Sequence, residues 1–174
     1  MTVQGMPKTS AGTAPAGPHG LGGWLILPII GFIGTIALTG WNLAQALASW
    51  DGLVAIFTTT SGPLAEARFP TAGSLVAGLL VMASAAYCLY LMFTRKRAII
   101  TFATAHYLIL AAAGLFEWWG TGVLERAIPN MPPDPSAVRD GVRGLVIAAI
   151  WIPYFNLSRR VRNTFVNPVA PERG

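Results

Sequence analysis

Charge is what this sequence has least of. Only 11% of its 174 residues are charged while 53% are hydrophobic, and an ordinary soluble domain carries about 25% charged residues. A chain so poor in charge cannot cover a water-facing surface, which excludes a soluble globular fold. Cysteine is almost as scarce: Cys88 stands alone, so no intrachain disulfide forms. One cysteine and two histidines, His19 and His106, are too few for a usual structural zinc site. No glycine-rich phosphate loop of the required spacing is present, nor carboxylates paired for acid–base work, nor a serine, histidine and aspartate set that the sequence can assemble. No catalytic residue, metal or cofactor is therefore expected. The net charge of +5 does not point to nucleic acid, because the basic residues are not interleaved with a fold that could present them to a groove.

What the chain has is apolar runs. Crossing the hydrocarbon core of a bilayer takes about 20 predominantly apolar residues in a helix, and four runs meet this length, at about 22–45, 71–93, 98–119 and 137–158. The fold class is therefore all-α, a polytopic membrane protein with a four-transmembrane-helix bundle over 21–158. Residues 1–20 are rich in Gly, Ala, Pro, Thr and Ser, with Lys8 the only charge, and such a segment predicts a disordered tail. His19 falls within it. The first run is followed by Ala44-Gln45-Ala46, which has the look of a cleavage site, but it is long enough to span and is read as an uncleaved helix. Trp50 to Phe57 is apolar yet too short to cross, so an interfacial segment is expected there. Gly31, Gly34 and Gly40 in the first run, and Gly73 with Ala77 and Ser74 with Gly78 in the second, are spaced for close helix packing. Asp134-Pro135-Ser136 is a helix-start signal for the fourth span.

The basic residues set an orientation. Arg95, Lys96 and Arg97 follow the second span directly, and Arg159, Arg160 and Arg162 follow the fourth. Basic residues beside a span are retained on the cytoplasmic side. With Lys8 and Arg173 they are opposed by Arg68, Arg126, Arg139 and Arg143 on the other side, where six of the seven acids also fall. Both termini are expected in the cytoplasm, with 159–174 a basic tail. Trp151, Tyr154 and Phe155 stand on the hydrocarbon side of the last arginines, and the Trp and Tyr rings suit the headgroup level.

An ionisable group at bilayer depth is costly and marks a candidate path for a proton or substrate. His106 lies near the middle of the third span, with Tyr87, Tyr90, Thr101 and Thr104 as candidate partners. Glu117 follows His106 by 11 residues, about three helical turns, so the two share a face. Glu117 and Arg143 fall at similar depth, where pairing would lower the cost of burying each. Arg139 lies four residues before Arg143 and faces the same way. The six basic residues Arg95, Lys96, Arg97, Arg159, Arg160 and Arg162 are candidate contacts for anionic lipid headgroups.

Gly22-Gly23-Trp24-Leu25 at the start of the first span, with Trp151-Ile152-Pro153-Tyr154-Phe155 and Ser158-Arg159-Arg160-Val161-Arg162-Asn163-Thr164-Phe165 at the end of the last, resemble the bacterial inner-membrane family catalogued as domain of unknown function 2569. The resemblance covers about residues 20–166. It implies a four-helix protein of the bacterial cytoplasmic membrane and carries no known activity, so no functional residue transfers from it. Small-residue seams and few embedded charges predict a non-catalytic accessory, assembly or scaffold subunit. Its partners would be membrane lipids and either its own copy or a larger membrane protein. The alternative is a small oligomeric transporter or proton-coupled permease working through His106, Glu117 and Arg143.

Overall fold

The computed structural model describes residues 23–128, 133 and 135–165. The tail expected over 1–20, the prolines of 129–132, Asp134 of the helix-start signal and the residues from 166 onward lie outside the described residues. Among those described, all regular structure is helical: a 3-10 turn at Gly23–Leu25, then α1 Ile26–Ala48, α2 Trp50–Thr58, α3 Pro63–Glu66, α4 Arg68–Phe93, α5 Ile99–Ala127, α6 Pro135–Leu157 and α7 Arg159–Thr164.

Three helical stretches are long and apolar enough to cross a membrane: Gly23–Ala48, Pro63–Phe93 and Ile99–Ala127. Where the sequence pattern counts four, the fourth, α6, has the length but opens with Arg139, Asp140 and Arg143, and these lower its apolar character. The helices also overrun the sequence-based bounds. Helix α4 starts at Arg68 rather than Thr71, because Pro70 falls in its first turn, where a missing backbone donor is harmless. Helix α5 continues through Trp119 to Ala127.

The long helices pack as antiparallel neighbours in the order α1, α4, α5, α6. Glycine brings the backbones together. A Cβ at Gly114 would stand 3.3 Å from the Asp140 carbonyl oxygen and the Gly141 Cα, and one at Gly144 would stand 3.4 Å from the Ala111 Cα. On α4, Gly73 is covered by the Phe116 ring of α5, while Gly78 receives Thr39 and Leu43 of α1. The two α4 positions thus serve different neighbours. In α1, Gly40 has only the Met82 sulfur at 3.9 Å, and Gly31 and Gly34 meet nothing within 4 Å.

Helix α2 buries no residue, and its Trp50, Val54 and Phe57 are exposed, as expected of an interfacial segment. Its end is fixed to α4 by the Arg68 Nε–H, which donates to the Ile56 carbonyl at 3.0 Å.

The core lies mainly at the opposite, basic end. Leu25, Leu91, Met92, Ile99, Phe155, Val161 and Phe165 are there, each essentially inaccessible. This corrects one expectation. Residues 159–165 are not a tail: Val161 and Thr164 of α7 and Phe165 just after it are buried under the bundle, leaving Arg159 and Arg162 exposed. Phe155 is a core residue, packed against Tyr107 and Tyr154.

Leucine at Gly114 or Gly144 would drive a side chain into neighbouring backbone and is expected to lower stability by about 1–3 kcal/mol. Leucine at Gly31 is expected to leave the isolated chain unchanged. Thermal unfolding of the detergent-purified variants measures the difference.

Candidate functional site

Two clusters hold the polar residues that matter: one between α4 and α5, the other at the basic end. His106 is 1% exposed on α5. Its Nδ1 lies 2.8 Å from the Ser84 hydroxyl of α4, and that hydroxyl lies 3.0 Å from the Val81 carbonyl. A hydroxyl has one proton. Directed at Val81, it leaves Ser84 to accept from an Nδ1–H; directed at Nδ1, it leaves the imidazole proton on Nε2. Nε2 is buried and without a hydrogen-bond partner among the described residues. The ring is held edge-on by Phe32 of α1 at 5.1 Å and Tyr107 at 5.3 Å between centroids, so one imidazole ties three helices.

None of the partners expected for His106 is its partner. Tyr87 packs edge-on against Phe102. The Tyr90 hydroxyl accepts from the Lys96 ammonium at 3.2 Å, and Thr101 is exposed. Thr104 accepts from the Asn156 amide at 2.9 Å, joining α5 to α6. Ser84 was missed because a serine in an apolar run carries no periodic signal. The antiparallel register of α4 and α5 is what brings it to His106.

Glu117 shares the α5 face of His106, as its spacing implies, and its polar neighbour is also a serine of α4, Ser74. No ion pair joins Glu117 to Arg143 among the described residues. The register offsets their depths: Gly141 and Gly144, which bracket Arg143, pack at Gly114 and Ala111, so Arg143 is level with Ala112, more than a helical turn from Glu117. Turning those glycines toward α5 carries Arg143 round to the exposed outer side of α6. Arg139 is exposed too, with its Nε 3.7 Å from the Asp140 carboxylate, and a pair so open to solvent adds little. No group of three or more His, Cys, Asp or Glu side chains among the described residues is placed to hold a metal ion.

The antiparallel topology collects Arg95, Lys96, Arg97, Arg159, Arg160 and Arg162 at one end. Arg95 takes a left-handed conformation, φ 53°, which ends α4 by letting the Lys96 amide donate back to the Leu91 carbonyl at 3.1 Å. Arg162 caps α6, its Nη2 donating to the Leu157 carbonyl at 2.9 Å. Gly23 has φ +62°, and a Cβ there would stand 2.7 Å from the Arg160 Nη1. The first described turn therefore lies directly on the guanidinium of α7. The conformation favours glycine.

Replacing Ser84 by alanine leaves the buried Nδ1 without its hydrogen-bond partner and is expected to lower stability by about 1–3 kcal/mol. Adding His106→Leu to Ser84→Ala removes the orphaned group and is expected to recover part of that loss. Paired thermal melts of wild type, both single variants and the double variant measure the coupling.

No curated protein and no solved structure matches the chain. The family comparison does match. It covers residues 18–166 and takes in the 3-10 turn with Gly23, all the long helices, and α7 with Arg160. On that match, the chain belongs to the family described as protein of unknown function (DUF2569).

Proposed function

We propose that this membrane protein is a non-catalytic accessory, assembly or scaffold subunit of the bacterial cytoplasmic membrane, crossing it four times with both ends in the cytoplasm. The six cations at one end of the bundle support that orientation. The observation that carries the role is the outer face of α1. Gly31 and Gly34 have no neighbour within 4 Å, and Leu27, Ile30, Leu38 and Trp41 on the same side are exposed, whereas Gly114 and Gly144 are filled by neighbouring backbone. Small residues open to the membrane allow a foreign helix to approach closely. The occupant in this reading is a helix of a larger membrane protein.

The alternative, a small oligomeric transporter or proton-coupled permease, draws on the buried Nε2 of His106 and on Glu117 along the same face. Arg143 does not contribute to that face. For such a protein, His106→Leu abolishes flux while the chain stays folded.

Mild-detergent purification from the native membrane, with mass spectrometry of what accompanies the chain, tests the accessory role. A stoichiometric membrane-protein partner is expected with wild type. It should be lost from a Gly31→Leu, Gly34→Leu double variant whose own melting temperature is unchanged. Recovery of the chain alone, as a homo-oligomer, contradicts the role.

A further inference from the structure

Arg160 is a cation with no counter-charge among the described residues. The described acids sit elsewhere: Asp51 on α2, Glu66 on α3, Glu117 and Glu125 in the second half of α5, and Asp140 near the start of α6. None lies on the segments that build the basic end, and a guanidinium does not escape the problem by losing its proton. Its Nε is buried and has no hydrogen-bond partner among the described residues. The Tyr154 hydroxyl is in the same position; it stands within the field of Arg160 and beside the Ser158 side chain. With no anionic acceptor among the described residues, two such buried donors would carry a desolvation penalty, unless an acceptor arrives from elsewhere.

The surroundings describe that acceptor. The main chain of Gly23 lies against Nη1. Trp24, Ile150, Trp151, Pro153 and Leu157 line an apolar depression that takes in Tyr154 and Ser158. Trp24, Ile150 and Leu157 are well exposed on the outer surface, where lipid lies. A planar guanidinium forks naturally onto phosphate oxygens, and an apolar trough beside it suits a hydrocarbon chain.

We propose that Arg160 and Tyr154 seat one phosphate group at the membrane edge, and that the apolar depression makes its source the headgroup of an anionic phospholipid. This is a single built site, distinct from the diffuse attraction that all six cations exert on an anionic surface. It does not depend on the accessory role.

The test uses the full chain, delipidated in a neutral detergent, with phosphatidylglycerol, phosphatidylcholine or inorganic phosphate added in separate arms. Thermal unfolding and native mass spectrometry are the readouts. Phosphatidylglycerol is expected to raise the melting temperature of wild type and to be retained in the gas phase. Arg160→Lys keeps the charge but loses the fork, and should need about tenfold more lipid, the equivalent of one charge-assisted hydrogen bond. Arg97→Ala, an exposed cation of the α4–α5 turn, removes only a share of the diffuse attraction and should weaken the response less than Arg160→Lys does. Tyr154→Phe, which removes only a hydroxyl, should weaken the response as well and decides the matter if Arg160→Lys does not fold. An equal response to inorganic phosphate assigns the site to a free phosphate group rather than a lipid. Absence of any response in wild type, an unchanged response in both Arg160→Lys and Tyr154→Phe, or an equal loss in Arg97→Ala overturns the proposal.

Discussion

A helix in hydrocarbon satisfies its backbone along its own length, and lipid tails are as apolar as leucine, so nothing hydrophobic drives one span against the next. What joins the helices must be close backbone approach and a few side-chain hydrogen bonds. The structure uses both, and each in a definite place. Glycines at 114, 141 and 144 bring α5 and α6 into backbone contact. The His106–Ser84 bond ties α5 to α4 and the Asn156–Thr104 bond ties α6 to α5. The remaining helix, α1, is held by Phe32 on the His106 ring, by Gly78 of α4, and at its start by Gly23 on Arg160.

This arrangement places the tightest packing at the basic end. There the chain's first described turn, the α4–α5 turn and α7 converge, and the least accessible core side chains fill the space between them. The two sequence patterns that mark the family, at the opening of the first span and beyond the close of the last, are far apart in the chain and touch in space. Their union is a physical contact, a glycine main chain against an arginine.

The spans were legible in the sequence because hydrocarbon imposes a length on apolar runs, and α2 because its run was too short to cross. Helix α7 was not, since three arginines in six residues read as solvated charge until Val161, Thr164 and Phe165 are seen to be buried. The shared face of His106 and Glu117 followed from helical geometry within one element. Their partners did not, because Ser84 and Ser74 are chosen by the register between two elements, which a single sequence does not display. Position within each run suggests similar depth for Glu117 and Arg143, but the register of α5 against α6 offsets them by more than a turn and rotation about the helix axis separates them further, both set by Gly141 and Gly144. The glycines expected to make seams in α1 face outward, while those of α5 and α6 pack the bundle.

The central claim is that α6, despite its charged opening, crosses the bilayer, so that the cations of the α4–α5 turn and of α7 share one side. Single-cysteine labelling with a membrane-impermeant reagent, in a chain whose buried Cys88 is replaced by alanine, tests it most directly. The account predicts that cysteines at Arg97 and Asn163 react only from the cytoplasmic side, and cysteines at Thr60 and Pro133 only from the opposite side. Labelling of position 163 from the same side as position 60 would contradict it.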